Sequence, residues 1–249
     1  VVIRMNPLTT RFVARLRDRD EAAWLELWEV FGPVIRGQLD RWARGSVGRE
    51  TVLDLTQETL AELSTSIDRF DPGRGVRFSS WLLAIARHVL FDELDRRNAR
   101  KRGGGRRALS LDEGFMSQWG GAGPDELFER SMFRAKVLAA LRATESASEF
   151  LHFQVFRLRV LEGVPGREVS SQLSISEPTV TRHARRVRDR LRSELRLAIE
   201  TYSFTEEELV EAEAAGLTSD DRLFDEAIRD LWHAPPESVE PNGLSVSRS

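Results

Sequence analysis

The chain has 249 residues, 41% hydrophobic and 31% charged, enough for one large or two small domains that each bury a core. It contains no cysteine, which excludes disulfides, zinc–thiolate sites and cysteine nucleophiles, and no apolar run near ~20 residues, so no membrane span and no membrane partner are expected. The net charge of −3 hides an asymmetry: residues 200–249 carry 13 acidic side chains against Arg222, Arg229 and Arg248, a net of −10 that leaves +7 on the rest. A basic body with an acidic tail suits an anionic partner, or contact between tail and body; plain solubility of the acidic helices is the other reading. No signal peptide is evident ahead of Met5, so a soluble cytoplasmic protein is expected.

Residues 1–7 carry no pattern. Residues 8–17, and then Asp20 to about Arg44, are predicted helical, with Ala23, Trp24, Leu27, Trp28 and Phe31 on one face. Pro33 is expected to kink or interrupt the second of these helices. The next helix opens at Thr51, where Thr51-Val52-Leu53-Asp54 fits a Ser/Thr-x-x-acid cap. Leu53, Leu60, Leu63, Ile67 and Phe70 form its apolar stripe, and Asp54, Gln57, Glu58 and Glu62 fall on the opposite, acidic side. Asp71-Pro72-Gly73-Arg74-Gly75 breaks it. A further helix begins near Phe78, turns Trp81, Leu82, Ile85, Val89 and Leu90 inward, and ends in the basic run Arg96, Arg97, Arg100, Lys101 and Arg102. Residues 101–124, with three consecutive glycines and no sustained period, read as a flexible linker between two domains. Within it Phe115, Met116 and Trp119 form an apolar cluster without an assigned role.

Helices follow over about 125–143 and 146–162, ending at Gly163. Val169, Leu173, Ile175, Val180, Ala184 and Val187 are then the inward positions of two short helices joined at Ser174-Ile175-Ser176. That spacing is a helix-turn-helix, with Ser176 as N-cap and Pro178 early in the second helix, where proline is tolerated. The second helix exposes Thr181, Arg182, Arg185 and Arg186, then Arg188, Arg190 and Arg192. An arginine-rich helix can be a mere solvated face; after a helix-turn-helix it reads as DNA-binding, with base-edge contacts from its N-terminal part and phosphate contacts beyond. Past Glu200, Thr205-Glu206-Glu207-Glu208 opens a helix that stops at Gly216, and a second spans Ser219 to His233 with Leu223, Phe224, Ile228 and Leu231 as its stripe. Two readings stand for this acidic hairpin: it stabilises the preceding domain, or it covers the arginine-rich helix until activation. After Pro235-Pro236 the chain reads as disordered.

Nothing points to chemistry. The four histidines, His88, His152, His183 and His233, lack metal-like spacing, and no phosphate-binding glycine loop or nucleophile motif is present. No catalytic residue, cofactor or metal is expected.

The segments DLTQETL and DRFDPGRGVRFSSWLLAIARHVLFDELDRR resemble region two of bacterial RNA polymerase sigma factors of the extracytoplasmic-function (ECF) type. DRDEAAWLELWEVFGPVIRGQLDR resembles the opening helices of that family, and GREVSSQLSISEPTVTRHARRVRDRLRSEL resembles its region four. The resemblance covers roughly residues 8–195. It implies an all-α fold: a region-two domain over 8–100, a linker over 101–124 and a region-four domain over 125–197, with residues 198–249 as an acidic helical extension. It implies a sigma factor rather than an enzyme, giving core RNA polymerase its promoter specificity through the beta-prime clamp helices and the beta flap. Asp54, Gln57 and Glu58 match the motif that docks on the clamp helices. Arg74, Arg77 and Phe78 would line a pocket for a base leaving the stack, and His88, Phe91, Asp92 and Arg96 would face the minus-ten DNA. Trp81 is read as core, not as a base wedge. Glu177, Pro178, Thr181, Arg182 and Arg185 would read the minus-thirty-five element, with Arg186 beside them.

The chain also departs from the family pattern. Where many members carry an acidic tetrapeptide ending at the position of Asp54, it reads Thr51-Val52-Leu53-Asp54. A minority with a depleted motif depend on a serine/threonine kinase, which makes Thr51, and after it Thr56, candidate phosphorylation sites. Phosphate would add roughly −1.5 to −2 charges near a helix N-terminus. The alternative is that Thr51 is only an N-cap. An anti-sigma factor is the other regulator the family implies. His88 stands where many members have asparagine, and Ser170 and Ser174 replace the usual alanine and turn glycine. The competing function is a stand-alone helix-turn-helix regulator, which would leave residues 51–102 without a role.

Overall fold

The computed structural model describes residues 7–43, 45–70, 78–102, 126–202, 210 and 220–234, and every element among them is helical. The fold is all-α. The turn at 71–77, residues 103–125, the helix expected over 205–216 and the chain after 234 lie outside the described residues; of the linker expected over 101–124, Lys101 and Arg102 are helical.

Helix α1 (Pro7–Arg17) buries Thr9, Phe12, Val13 and Leu16 on one side. It ends where Arg19 takes a left-handed conformation, φ 60°. Asp20 then caps α2 (Glu21–Ala43): its Oδ1 accepts from the amides of Ala22 (2.9 Å) and Ala23 (3.2 Å), and its Oδ2 accepts from Arg15 Nε at 2.7 Å. The Arg15 hydrogen bond, then the Ala23 amide, holds the Asp20 carboxyl below its ordinary range. Pro33 does not interrupt α2. It is exposed, so the carbonyl that its missing N–H leaves without an intrahelical donor lies on the water side. Ala23, Leu27 and Phe31 are buried as expected, but Trp28 is exposed and its ring lies along the helix over Gly32. A Cβ at Gly32 would meet that ring at 3.2 Å, so the glycine makes room for it.

Helix α3 (Arg49–Ser66) begins two residues before the expected start, with Gly48 as its N-cap. Thr51 is therefore inside the first turn and is not a cap. The register changes too: Val52, Leu55, Thr56, Thr59, Leu63 and Ser66 face the core, and Leu53 is exposed. A 3-10 turn (Ile67–Arg69) carries the chain to Phe70, whose carbonyl accepts from Arg17 Nη2 at 2.6 Å. Helix α4 (Phe78–Arg102) starts as predicted, and Trp81, Leu82, Ile85, Val89 and Leu90 are all buried.

The second half comprises α5 (Glu126–Ser146), α6 (Phe150–Phe156), a π-helical turn (Arg157–Leu161), α7 (Gly166–Leu173), α8 (Glu177–Tyr202) and α9 (Asp221–His233). Gly163 adopts φ 72° and ends the π turn as foreseen. The helix-turn-helix has its own small core of Val155, Val169, Val180 and Ala184.

The main core, however, is shared by both halves: it runs without a break from Phe12 in α1 to Ile228 in α9. Tyr202, at the end of α8, places its ring edge-on to Phe12 (5.3 Å) and Phe31 (5.6 Å). Its hydroxyl donates to Glu26 Oε1 at 2.5 Å, while Arg15 Nη1 reaches Glu26 Oε2 at 3.2 Å. Burial first, then Glu26, pushes the Tyr202 phenol well above its ordinary pKa, so it stays protonated and donates at any working pH. Thr9 Oγ1 donates to the Glu200 carbonyl (2.6 Å), and Ser79 Oγ donates to Glu129 Oε1 (2.6 Å).

This junction sets a stability prediction. Tyr202→Phe should cost about 1 kcal/mol, one net hydrogen bond, and Tyr202→Ala about 3–5 kcal/mol. At a chain of this size each kcal/mol lowers Tm by roughly 2–4 °C. Because the core is shared, calorimetry should show one transition that moves as a unit; two transitions, with only one sensitive to Tyr202, would contradict the shared core.

Candidate nucleic-acid interface

Asp54 and Gln57 are exposed on the outer side of α3, and Glu58 is 46% exposed beside them. This acidic side looks across at the basic end of α4. Arg96 reaches Glu58 Oε1 (3.1 Å) and Glu93 Oε2 (3.1 Å), and Arg97 Nε holds Glu93 Oε1 at 2.6 Å. Exposed pairs of this kind are worth about 0–1 kcal/mol, so Glu58 and Arg96 exchange them for a partner at little cost. Arg97 Nη2 also donates to Thr51 Oγ1 at 2.8 Å. Thr56 is 1% exposed with its hydroxyl donating to the Val52 carbonyl at 2.6 Å, so the folded chain withholds it from a kinase.

Two expectations along α4 need correction. Phe78 does not line a base pocket: it is fully buried among Phe31, Phe70 and Trp81, because the first turn of α4 seals the bottom of the core. His88 does not face outward. It is 8% exposed, with Nε2 3.8 Å from Asp92 Oδ2, and the Asp92 side chain is itself only 16% exposed. Trp81 is core, as read from its position. Phe91 is exposed, and Arg96 with it. Arg74 and Arg77 lie outside the described residues.

The structure adds a group that pattern alone did not reveal. The Arg87 guanidinium lies 5.5 Å from the Phe91 ring and 5.7 Å from the Trp42 ring, a cation held between two aromatics. Such a platform suits stacking of bases along an anionic strand. Trp42 belongs to α2, so only tertiary packing brings it to α4; the nearest signal in sequence was an arginine four residues before Phe91.

The helix-turn-helix stands as expected. Its turn, Ser174–Ser176, puts Ser174 in the left-handed region (φ 55°, ψ 40°), where a glycine would be at ease. Ser170 Oγ donates to the Ile175 carbonyl and ties the turn back to α7. Ser176 Oγ sits 2.9 Å from Thr179 Oγ1 at the start of α8. Glu177, Pro178, Thr181, Arg182, Arg185 and Arg186 are all exposed on the N-terminal part of α8. Arg188 and Arg192 are not the open phosphate contacts expected of them. Arg188 is 12% exposed and forked onto Asp225 (2.8 and 2.7 Å), with Nη1 on Asp221 at 3.0 Å. Arg192 donates to Asp221 Oδ1 (2.7 Å) and lies 4.6 Å from the Phe224 ring centroid. Helix α9 supplies all three partners; the sequence raised contact between the acidic extension and this helix but not these pairs.

Residues 35–100 match the family model of Sigma-70 region 2, about a quarter of the chain and the part that holds α3 and α4. The match supports a sigma-70 region-two reading of this segment, with a role in promoter recognition and transcription initiation. No curated protein matches the chain significantly. No helix among the described residues is long and apolar enough to cross a membrane, and no group of three or more His, Cys, Asp or Glu among them could hold a metal ion.

One property of α8 follows from its packing. The His183 ring lies 4.1 Å from His152 of α6, and burial first, then His152, Arg182 and Arg186, lowers its pKa, with Glu149 opposing. A histidine whose folded pKa is depressed keeps its full contribution above its unfolded pKa near 6.5 and loses it as pH falls through the folded value. Unfolding followed from pH 7.5 downward should therefore show stability falling below about 6.5, and His183→Asn should flatten that slope. An unchanged slope in the variant would assign the acid sensitivity elsewhere.

Proposed function

We propose that this chain is an ECF-type sigma factor that binds core RNA polymerase and directs promoter-specific initiation. The observation that carries the reading is the Sigma-70 region 2 match over residues 35–100, followed later in the chain by a helix-turn-helix whose second helix exposes Arg182, Arg185 and Arg186. Asp54, Gln57 and Glu58 are the contacts to the clamp helices, with the beta flap as the second polymerase site. Arg87, Phe91 and Arg96, together with Arg74 and Arg77, serve the minus-ten DNA. Glu177, Pro178, Thr181, Arg182, Arg185 and Arg186 read the minus-thirty-five element.

The shared core sets a condition on this activity. Elements about 25 base pairs apart are separated by roughly 85 Å at ~3.4 Å per step. A compact chain of this length has a radius of gyration near 18 Å and a diameter of about 45 Å. Reading both elements at once therefore requires the junction at Tyr202, Phe12 and Phe31 to open. Polymerase contacts must supply the free energy that separates this shared core, which a cavity of about 340 Å³ beside Tyr202 leaves partly open to solvent.

Thr51 is the proposed regulatory site. It lies in the first turn of α3, where a phosphate is favoured by the helix dipole, and Arg97 already reaches its hydroxyl. A serine/threonine kinase is then the partner that restores the missing negative charge; an anti-sigma factor is the other regulator this family reading admits.

In vitro transcription with core polymerase tests the proposal. Asp54→Ala combined with Glu58→Ala should abolish core binding while leaving the fold intact, and Thr51→Asp should strengthen it. Failure of every form, including Thr51→Asp, to bind core polymerase in a pull-down would overturn the sigma reading. For the recognition helix, Arg185→Ala should cost about 1–3 kcal/mol of discrimination at its base, seen as relaxed specificity at one promoter position. Mass spectrometry that finds Thr51 unmodified in the active protein would remove the kinase.

A further inference from the structure

Helix α9 is built to bind where it does. Asp220 caps its N-terminus, accepting from the amides of Arg222 (2.9 Å) and Leu223 (3.0 Å). Phe224 and Ile228 are fully buried in the main core. The π turn at 157–161 leaves carbonyls without intrahelical donors, and α9 supplies them: Arg229 Nε donates to Val160 O at 2.8 Å, and His233 Nε2 lies 2.8 Å from Leu161 O. In return Arg134 Nε donates to the Leu231 carbonyl in the last turn of α9 (3.2 Å).

What this docking covers matters for α8. A helix turns 100° and rises ~1.5 Å per residue, so Thr181, Arg185, Arg188 and Arg192 fall within about 60° of one another along some 16 Å of one flank. Asp221 and Asp225 occupy the C-terminal half of that flank, at hydrogen-bond distance from Arg188 and Arg192. The field extends further: the Asp221 carboxyl is held below its ordinary range by Arg192 first, then by Arg188, with Arg185 contributing. Two carboxylates thus stand against two guanidiniums that are otherwise placed to meet phosphates, immediately behind the exposed Thr181 and Arg185.

We infer that α9 and the DNA backbone are alternative ligands of one surface, the flank of α8 that carries Arg185, Arg188 and Arg192. Docked α9 reduces the phosphate contacts of the helix-turn-helix, and DNA engages the full flank only when α9 leaves. Arg182 and Arg186 remain exposed throughout, so the docked form has weakened affinity for DNA without losing it. The inference rests on α8 being the DNA-binding helix and does not depend on core polymerase.

The test measures binding of the full chain to a 30-base-pair duplex across salt concentrations. Each phosphate contact adds about 0.9 to the salt slope. Asp221→Asn with Asp225→Asn should bind more tightly, with a slope steeper by up to about 1.8, two added contacts. Glu226→Gln with Asp230→Asn makes the same change in net charge on the exposed side of α9 and should give a smaller gain. Phe224→Ser removes the buried anchor with no change of charge and should reproduce the steeper slope, with circular dichroism confirming that the rest of the chain stays folded. Adding Arg188→Gln and Arg192→Gln to the Asp221/Asp225 pair should return the slope to the wild-type value. Equal slopes for wild type and the Asp221/Asp225 variant, or no DNA binding by that variant even at low salt, would overturn the inference. Core-polymerase pull-down on the same proteins is a separate readout: its failure would sink the sigma reading and leave this competition standing.

Discussion

Tyr202 closes α8 by inserting its ring between Phe12 of α1 and Phe31 of α2, and its hydroxyl ends on Glu26. From Glu26 the contacts continue to Arg15 and then to Asp20, the residue that caps α2. One buried donor therefore fixes the C-terminus of α8 against the helical hairpin that also supports α3 and α4. Only Tyr202 in this chain is buried, and its pairing with the partly exposed Glu26 keeps the phenol from standing unsatisfied in the core. Apolar packing around it is incomplete, since a cavity opens between α1, α5 and α8 beside Tyr202. The junction is therefore held by the continuous apolar core as well as by this polar chain, and Tyr202 joins the two.

The second constraint is electrostatic and divides the chain against itself. Residues 200–249 carry a net charge of −10 and the body +7, and the structure shows where part of that attraction is used. Helix α9 does not lie loosely on the basic surface. It buries two apolar residues, pairs two carboxylates with two arginines and supplies donors to the carbonyls freed by the π turn. The largely buried Arg188 fork is the strongest part, because a bidentate guanidinium–carboxylate pair shielded from water loses less to solvent than the exposed pairs on α3 and α4.

Much of this was legible in the sequence. Periodicity placed α1, α2, α4 and the helix-turn-helix to within a few residues, since each has a buried stripe at helical spacing and a Gly, Pro or Ser signal at an end. The stripe of α9 was also right for Phe224 and Ile228. Helix α3 was harder. Leu53 and Val52 are adjacent apolar residues, and a pattern cannot decide which of two neighbours faces the core when threonines at 56 and 59 complete the buried face. Those threonines are buried at small cost because each hydroxyl returns to the carbonyl four residues back. Phe78 and His88 were misplaced because the family resemblance, not the helical period, put them on the DNA side. Only the aromatic cluster around Phe31 and Phe70 shows that Phe78 turns inward.

What the sequence determined by itself is the set of helices, the helix-turn-helix with its exposed Thr181, Arg182 and Arg185, and the acidic outer side of α3, because these depend on local spacing and on turn chemistry. Tertiary structure alone decided that the two halves share one core through Tyr202, that Arg87 lies between Trp42 and Phe91, and that Arg188 and Arg192 meet Asp221 and Asp225. Each of these joins residues between 29 and 191 positions apart or depends on such a contact. Burial and charge pairing at that range follow from how helices stack, and the period of a single helix holds no record of it.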